Sequence, residues 1–384
     1  MKTINIAMAW WWTGWHVFPI KSLIEHIYKN TEYYSKINDI VRFWEKRSLE
    51  EEVFLQLKEK YKDIHFQAIV SWKYRRETRL KSRLKNIRDV FKFWYWIVKS
   101  IYYIKRYSID VIFCKWWYVA LPIVLAWRLL RRKIIVHESD VRSWLVNKIA
   151  SKYADKVFTW FDKVLPKSTT IWQILSDEIF STESVKNLPS ARDMDIKWRV
   201  LTVSEQLYYT DPDKTHLLVI WWSQGSKRLY NTLLDSINQN RETYKNYEIF
   251  IILGKENQNM KSLFDQYQNV HVFDFISQQE MGLLLKNCDI SLTRAGTTSL
   301  AEQKLYDLKI VMVPIPRTHD QYDNAKFYVK KYDDILLDSK DENYKKNMLD
   351  IFKKYKKFKK KDTKKDIIWQ ISIAKDIIVK AMLE

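Results

Sequence analysis

Short runs of apolar and β-branched residues alternate along this chain with longer stretches whose apolar residues recur every three to four positions. The short runs predict strands and the longer stretches predict amphipathic helices. Strands that alternate with helices are typical of an α/β fold with a parallel sheet. The predicted strands are 3–9, 64–70, 109–114, 133–137, 156–159, 216–221, 248–253, 270–273, 288–292 and 310–313. The predicted helices are 18–29, 48–61, 80–106, 119–131, 143–154, 226–239, 278–286, 297–306 and 321–331.

This alternation runs through two successive halves of the chain. It is interrupted over residues 162–215, which contain three prolines and show little periodicity. A chain of 384 residues is long enough for two domains. We therefore predict an N-terminal domain at 1–165, a second domain at 166–362 and a C-terminal helix at 363–384.

The net charge is strongly basic, since 66 Lys and Arg face 46 Asp and Glu, for a formal charge of +20. Such a chain attracts anionic partners such as nucleic acid, phospholipid or phosphorylated substrates. We expect no signal peptide. We also expect no membrane span at 111–130, because Lys115, Pro122 and Arg128 interrupt the apolar run. Cys114 and Cys288 lie in apolar runs without metal or disulfide spacing, and we expect buried free thiols.

Tryptophan is frequent and glycine is rare, with 18 and 5 copies. Average usage predicts about 27 glycines. Many tryptophans directly follow predicted strands, as in AWWWTGWHVFP (9–19), KWWYVALP (115–122) and LLVIWWSQGS (217–226). Turns there usually need glycine, because a side chain disfavours positive φ and keeps a phosphate away. We interpret many of these tryptophans as glycines encoded by recoded UGA codons; the alternative is genuine tryptophans that stack on sugars or contact a membrane interface.

The strand–turn–helix pattern at these sites is suited to a nucleotide diphosphate. Sugar transfer from a nucleotide needs a held diphosphate, a positioned hydroxyl and a base. Helix N-termini at 222–228 and 296–302 can stabilise the leaving diphosphate without metal, so we expect neither a metal nor a cofactor. His16 is the best base by residue type, with phosphate anchoring as the alternative. His137 and Glu138 follow a strand end; they could orient the acceptor, and a purely structural role at the strand end is the alternative.

With these tryptophans read as glycines, the chain resembles the MurG family of peptidoglycan N-acetylglucosaminyltransferases over most of residues 3–330. The motifs that carry the resemblance are TGWHVFP, WWYVALP, HESD, WWSQG, TRAGTTSLAEQ and HDQYDNA. It implies a GT-B fold, with two Rossmann-like domains that face a cleft. It also implies an inverting hexosyltransferase that uses UDP-N-acetylglucosamine and a lipid-linked pyrophosphate acceptor, undecaprenyl-pyrophosphoryl-muramoyl-pentapeptide. The expected location is peripheral, on the cytoplasmic face of the cell membrane.

The resemblance also implies site residues. We expect His16 and Glu138 to act in catalysis, Ile276 to hold the uracil, Glu302 the ribose and Gln321 the transferred sugar. The full set of expected substrate-binding residues is Thr13, Gly14, Trp15, Asp140, Ser176, Ser223, Gln224, Gly225, Ile276, Arg294, Thr297, Thr298, Ser299, Leu300, Ala301, Glu302 and Gln321. Asp140 and Ser176 replace an Asn and an Arg that are usual in the family. The alternative is therefore a GT-B enzyme that acts on a different lipid acceptor.

Residues 72–106 combine twelve Lys or Arg with two acidic residues and many aromatic side chains. This composition predicts docking on an anionic membrane surface. A half-buried helix with a solvated basic face is the alternative. The lysine-rich segment 352–365 is expected to be a solvated run. A nucleic-acid-binding protein is a further alternative that the charge allows, although we expect no specific nucleic acid.

Overall fold

The computed structural model describes two compact units, Met1–Leu175 with Trp369–Glu384, and Ser176–Ile368. Each unit contains one parallel sheet with helices, so the predicted α/β class is confirmed in both halves. The described residues are 3–9, 14–44, 55, 57–68, 80–115, 120–143, 145–180, 202–221, 227–254, 257–316, 319–361 and 367–384.

The strands and helices alternate as the sequence predicts. The strands are β1 (Ile4–Ala9), β2 (Ile37–Trp44), β3 (Ile64–Ala68), β4 (Val111–Lys115), β5 (Lys133–Glu138), β6 (Lys156–Thr159), β7 (Thr169–Thr170), β8 (Thr215–Ile220), β9 (Tyr247–Ile252), β10 (Val270–Phe273), β11 (Ile290–Thr293), β12 (Lys309–Met312) and β13 (Ile335–Leu336). The α-helices are α1 (Gly14–Lys29), α2 (Thr31–Tyr34), α3 (Leu80–Arg106), α4 (Ala120–Leu129), α5 (Leu145–Ser151), α6 (Val203–Tyr208), α7 (Lys227–Gln239), α8 (Arg241–Tyr244), α9 (Lys261–Phe264), α10 (Gln278–Asn287), α11 (Thr297–Leu305), α12 (His319–Tyr332), α13 (Tyr344–Tyr355) and α14 (Ile367–Leu383). Short 3₁₀ helices occur at Asp177–Phe180 and Gln258–Met260.

The first sheet has the strand order β3-β2-β1-β4-β5-β6-β7. Its neighbouring strands are all parallel. From β1 the chain builds outward on one side, and from β4 it builds outward on the other. Ligands of open α/β sheets bind beyond the carboxyl ends of the strands at such a switch point. The first unit therefore offers a site where β1 and β4 end.

The second sheet repeats this layout with the order β10-β9-β8-β11-β12-β13. Its switch point lies between β8 and β11, where Ile220 pairs with Thr293. Both sheets thus have the strand order of a Rossmann-like domain. The loops that follow β8 and β11 occupy the position where such a domain binds a nucleotide.

Helices cover both faces of the first sheet. On one face, Met8 of β1 packs in a cluster with Leu23 of α1 and Ile378 of α14. The C-terminal helix α14 therefore belongs to the core of the first unit, although the second unit precedes it in the chain. On the other face, Trp96 of α3 and Trp127 of α4 are buried in a second cluster.

The strands and α-helices that the sequence analysis did not predict are β2, β7, β13, α2, α6, α8, α9 and α13. Strand β2 was not predicted because Asn38, Asp39 and Arg42 interrupt its apolar run, yet it pairs with β1 and β3 on its two sides. The expectation that 352–365 is a solvated run is wrong at its start. Phe352 lies on α13 and is fully buried, and its carbonyl oxygen accepts a 2.6 Å bond from the Tyr247 hydroxyl.

The prediction of two buried free thiols is confirmed. Cys114 and Cys288 are both buried and free. Among the described helices, none combines the length and the apolar character that crossing a bilayer requires.

Candidate active site

The loop between β11 and α11 lies at the switch point of the second sheet. Gly296 precedes the helix, and no side chain caps it. Thr297, Thr298 and Ser299 form the buried first turn. Backbone N–H groups of an uncapped first turn, together with the helix dipole, attract an anion. This end of α11 is therefore suited to a phosphate group.

A buried network fixes the orientation of α11 beneath that turn. The Gln303 side-chain nitrogen donates to Ser299 Oγ over 2.7 Å. The Gln303 side-chain oxygen accepts from the hydroxyl of Ser291 on β11. Because both ends of the amide are used and buried, the helix is held to the strand that precedes it.

Arg294 joins this loop to the next strand end. Its Nη1 donates to the carbonyl oxygens of Val313 (2.9 Å) and Pro314 (3.2 Å). Its guanidinium lies 5.4 Å from the ring centroid of Trp221, which directly follows β8. Burial lowers the pKa of Arg294 to about 10, so the side chain is still a cation at neutral pH. The Val313 and Pro314 acceptors are both backbone carbonyls.

Glu302 lies on the second turn of α11 and is almost fully buried. Burial raises the pKa of its carboxyl group to about 8. The group is therefore mostly protonated at pH 7, and can both donate and accept a hydrogen bond. A carboxyl group of this kind is well suited to a pair of ribose hydroxyls, because it needs no cation beside it.

Two side chains of α12 brace the neighbouring loops. Gln321 accepts a 2.9 Å bond from the backbone N–H of Ile315 through its side-chain oxygen. Asn324 donates over 3.2 Å to the carbonyl oxygen of Ala295, between Arg294 and Gly296. The sequence analysis missed Asn324, although the motif HDQYDNA contains it.

Ile276 lies beyond the end of β10 and is buried. The next residue, Ser277, caps α10 in a reciprocal capping box with Glu280. This cap fixes the backbone just after Ile276. The role of Ile276 in holding the uracil stays a prediction.

Glu138 is the last residue of β5, the strand next to the switch-point strand β4. Its Oε1 accepts from the backbone N–H groups of Ser139 (2.8 Å) and Asp140 (3.0 Å). Its Oε2 accepts from the side chain of Asn147 over 3.0 Å. Burial raises the pKa of Glu138, and these hydrogen bonds oppose that rise. The carboxylate therefore shapes the loop after β5, and the side chain is an orienting group in this geometry.

Two basic side chains, Lys115 and His137, lie at the ends of β4 and β5 on the face of the sheet opposite to the Glu138 side chain. Lys115 ends β4 and pairs in register with His137 on β5. Both residues are almost completely buried. Among the described residues, Lys115 Nζ and His137 Nε2 have no hydrogen-bond partner. The sequence analysis treated Lys115 only as a charge that interrupts an apolar run.

Asp140 and Ser176 occupy loop positions in different units. Asp140 is half-buried and is tied through its backbone to Glu138. Ser176 is buried, and its Oγ accepts from the backbone N–H of Glu178 over 3.3 Å. Ser176 thus caps a short 3₁₀ helix, a role that a long arginine side chain would not fill in the same way.

The remaining expected residues fall in parts of the chain whose placement is not described, or are buried in α11. For Gly14, Trp15 and His16 only the backbone is described, and it begins α1 at the switch point of the first sheet. Leu300 and Ala301 are fully buried on α11. Outside the described residues lie Thr13, Ser223, Gln224 and Gly225.

The arrangement at the end of β11 is chemically suited to a nucleotide diphosphate. It offers an uncapped helix N-terminus, a cationic Arg294 and a protonated Glu302. No cluster of three or more His, Cys, Asp or Glu side chains that could hold a metal ion occurs among the described residues. Groups that can stabilise a leaving diphosphate there include the backbone N–H groups of the first turn of α11 and Arg294.

Comparison with known families agrees with this geometry. Residues 6–159 match the glycosyltransferase family 28 N-terminal domain, and residues 216–380 match its C-terminal domain. A Staphylococcus epidermidis protein named "UDP-N-acetylglucosamine--N-acetylmuramyl-(pentapeptide) pyrophosphoryl-undecaprenol N-acetylglucosamine transferase" is 31% identical over 276 residues, 70% of each chain. A Staphylococcus carnosus protein of the same name is 32% identical over 65% of this chain, and the aligned part spans 64% of that relative's length.

Solved structures show the same fold. MurG of Acinetobacter baumannii aligns over 99% of both chains with a TM-score of 0.63 and 17% identity. A UDP-GlcNAc 2-epimerase of Neisseria meningitidis, solved with UDP-GlcNAc, aligns over 100% of both chains with a TM-score of 0.59 and 12% identity. The predicted GT-B fold with two Rossmann-like domains is confirmed, and so is the resemblance to the MurG family. This chain belongs to glycosyltransferase family 28.

Proposed function

We propose that this protein transfers N-acetylglucosamine from UDP-N-acetylglucosamine to undecaprenyl-pyrophosphoryl-muramoyl-pentapeptide. The observation that carries the proposal is the site at the end of β11. There an uncapped helix N-terminus, Arg294 and the buried Glu302 lie together at the switch point of a family 28 domain. The printed names of the Staphylococcus relatives supply the sugar and the acceptor.

On the donor side, each group has one task. The first turn of α11 binds the diphosphate of UDP through its backbone, and Ser299 orients that turn through Gln303. Glu302 binds the ribose hydroxyls, and the backbone at Ile276 holds the uracil. Gln321 lies beside the backbone that follows β12. Its side-chain amide forms hydrogen bonds with the transferred sugar.

On the acceptor side, the reaction is an inverting displacement in which the acceptor hydroxyl attacks the anomeric carbon of the sugar. His16, in the first turn of α1, is the proposed base. Glu138 holds the loop that contains Asp140, and so positions the acceptor. The departing UDP carries negative charge that the N-terminus of α11 and Arg294 stabilise without metal.

Many tryptophans of this sequence are glycines in the native protein under this proposal. The indole N–H groups of Trp127, Trp160, Trp172 and Trp221 are buried without a hydrogen-bond acceptor among the described residues. Buried indole N–H groups normally have such a partner. Mass spectrometry of the native peptide that spans residues 3–21 tests the interpretation. Glycine masses at positions 10, 11, 12 and 15 support it, and tryptophan masses contradict it.

An exposed apolar stripe on α3 supports peripheral membrane binding. Its residues recur at helical spacing and are about half exposed or more: Val90, Phe91, Trp94, Tyr95, Val98 and Tyr102. Lys99 lies 5.7 Å from the ring centroid of Tyr95 and 5.8 Å from that of Tyr102. Apolar side chains interleaved with cations are typical of helices that lie on an anionic bilayer. We place this stripe on the cytoplasmic face of the membrane, where the lipid-linked acceptor is used.

Binding measurements at high salt test the donor assignment against the nucleic-acid alternative. Isothermal titration of the purified protein with UDP-N-acetylglucosamine should give a dissociation constant that changes little between low and high salt, since buried contacts carry the binding. Binding to a single-stranded RNA probe should fall steeply over the same range. Salt-resistant RNA binding without nucleotide binding would overturn the proposal.

The second candidate is a family 28 enzyme with a different lipid acceptor. Asp140 and Ser176, which replace the usual Asn and Arg, are the observation in its favour. A panel of acceptors that share undecaprenyl pyrophosphate but differ in the attached sugar separates the two candidates. The proposal requires the muramoyl-pentapeptide acceptor to give the highest kcat/KM.

A further inference from the structure

Strand β13 is the outermost strand at one edge of the second sheet. Among the described residues it pairs with β12 alone, through Ile335 and Leu336. The backbone N–H of Leu337 donates to the carbonyl oxygen of Met312 on β12. Because successive residues of a strand direct their backbone groups to opposite sides, the N–H and C=O of Leu336 point away from β12. Outward backbone groups of this kind can pair with a further strand.

A groove of about 490 Å³ runs along this edge between α12, β13 and α13, and we call it the β13 groove. Its apolar lining consists of Val329 on α12, Ile335 and Leu336 on β13, and Ile351 on α13. Val329 is 38% exposed, and the other three side chains are half-buried. An extended peptide that covered these side chains would bury apolar surface, which favours binding.

Three exposed lysines also line the β13 groove: Lys326 and Lys330 on α12, and Lys354 on α13. Among the described residues, none of the three forms an ion pair with a carboxylate. Lys354 Nζ lies 5.3 Å from the ring centroid of Tyr355, another residue of the lining. The groove thus combines apolar side chains with three cations that have no carboxylate beside them.

The two carboxylates at the β13 groove are paired with lysines that are not part of its lining. Asp334 Oδ1 lies 2.7 Å from Lys304 Nζ. Asp333 Oδ2 lies 2.9 Å from Lys309 Nζ. Because the charges within each pair cancel, the lysines of the lining leave the groove positively charged. Charge complementarity therefore favours an acidic ligand.

We propose that the β13 groove binds an extended acidic segment of a partner protein, which adds to the second sheet as a strand beside β13. The backbone of the segment pairs with the outward N–H and C=O of Leu336. Its apolar side chains cover Val329 and Ile351, and its carboxylates pair with Lys326 and Lys330. The proposed sugar transfer uses none of these residues, so the two proposals stand or fall separately.

A second copy of this chain is a poorer occupant than an acidic segment. Pairing of two β13 edges would bring the lysines of both grooves together, and like charges repel. Lysines at a sheet edge can also serve only to keep such edges apart. That protective role predicts self-association when the lysines are replaced, and no binding of an acidic peptide.

Fluorescence anisotropy with a labelled peptide and the full-length protein tests the proposal. The probe is a capped peptide of seven residues in which Glu and Val alternate, so that one face is acidic and the other is apolar. A slip of one residue exchanges the two faces, so either face can meet either helix. We expect saturable binding below about 100 μM protein. The same peptide with proline at its centre should bind about ten-fold more weakly or worse, because proline lacks the backbone N–H.

Two variants of the protein test the two kinds of contact. Lys326→Glu/Lys330→Glu should raise the dissociation constant of the peptide by about ten-fold or more, because attraction becomes repulsion. Leu336→Pro should have a similar effect, because it removes the outward N–H. Since proline is tolerated where the N–H faces away from the sheet, binding of UDP-N-acetylglucosamine by Leu336→Pro should stay within about two-fold of native.

Lys286→Glu/Lys346→Glu is the matched control. Both lysines are exposed in the second unit and lie outside the lining of the groove. This double variant changes the net charge by the same amount, and its dissociation constant for the peptide should stay within about two-fold of native. Equal weakening by the control would show general charge attraction and overturn the proposal.

Three further outcomes would also overturn it. The first is the absence of saturable peptide binding by the native protein. The second is unchanged affinity both for the proline peptide and in Leu336→Pro, which would show that no strand is added; the proline peptide decides this point even if Leu336→Pro fails to fold. The third is self-association of Lys326→Glu/Lys330→Glu in sedimentation velocity with no peptide binding by the native protein, which would assign these lysines the protective role alone.

Discussion

The guanidinium of Arg294 lies over the indole ring of Trp221, 5.4 Å from its centroid. The two residues directly follow the neighbouring strands β11 and β8, whose last residues, Thr293 and Ile220, pair in register. Two further contacts tie Arg294 to the backbone after β12. A large aromatic side chain thus stands at the strand end where a Rossmann-like domain usually has a glycine-rich turn.

Glycine at positions 221 and 222 should strengthen donor binding. In a protein made with tryptophan at both positions, the double variant W221G/W222G removes the indole under Arg294 and lets the turn approach a phosphate. Its affinity for UDP-N-acetylglucosamine, measured by isothermal titration, should rise by about ten-fold or more. Trp369→Gly, at an exposed position of α14, should leave the affinity unchanged. Equal or weaker binding by W221G/W222G would show that the tryptophans belong to the site.

Glu302 should make stability fall as the pH rises. Its pKa is about 8 in the folded protein, against the ordinary value of 4.5. Between these values the folded state holds a proton that the unfolded state has released, so the free energy of unfolding decreases by up to about 1.4 kcal/mol per pH unit. This loss should be absent below pH 4.5 and complete above about pH 8.

Urea unfolding of Glu302→Gln at several pH values measures this effect. The variant should gain stability over the native protein between pH 5 and 8, with the gap levelling off above about pH 8. Glu342→Gln, at an exposed position, should track the native protein throughout. Parallel curves for Glu302→Gln and native protein would mean that Glu302 is ionised in the folded state.

Replacement of Glu138 by alanine should destabilise the first unit. The change removes the acceptor of two backbone N–H groups and of the buried Asn147 side chain. Unsatisfied buried donors should cost about 2–4 kcal/mol in total, measured by urea unfolding. Asn147→Ala, which removes one of these bonds, should cost less. A Glu138→Ala protein as stable as the native one would contradict the orienting role of this carboxylate.

Removal of the apolar stripe on α3 should release the protein from anionic vesicles. Phe91, Trp94 and Val98 are 72%, 62% and 65% exposed, so the triple serine variant should fold with unchanged stability. Its binding to phosphatidylglycerol vesicles in a flotation assay should fall by about ten-fold or more, since each lost apolar side chain weakens insertion. Leu263→Ser, an exposed change in the second unit, is the control. Undiminished flotation would favour the alternative of a merely solvated helix face.

Much of the fold follows from local sequence patterns. The apolar runs of β8 and β11 are buried on both faces, as parallel strands require, and they stand out in the sequence for that reason. Helix α13 does not stand out, because lysines separate its buried Tyr344, Met348 and Phe352. These apolar residues recur at helical spacing, but the many lysines between them made a solvated segment the more obvious prediction.

Some features of the candidate site could likewise be predicted from local sequence, and others could not. The N-terminus of α11 was predictable because a strand, a glycine and a helix follow each other within a few residues. The buried position of Lys115 at the end of β4 was not, because it depends on β4 lying beside β1, which only the strand order reveals. Likewise, the hydrogen bond between Asn324 and Ala295 joins residues 29 positions apart, so no local sequence pattern predicts it.

The most direct test of the proposed function is sugar transfer by the native protein. Radiolabelled UDP-N-acetylglucosamine and the purified undecaprenyl-pyrophosphoryl-muramoyl-pentapeptide are incubated with the enzyme in a metal-chelating buffer, and the lipid product is extracted and its linkage determined. We predict a lipid product with one added N-acetylglucosamine in the inverted, β configuration, and loss of most of this activity in His16→Ala. Labelled sugar that stays with the nucleotide, or passes only to a lipid without the muramoyl peptide, would contradict the proposed function.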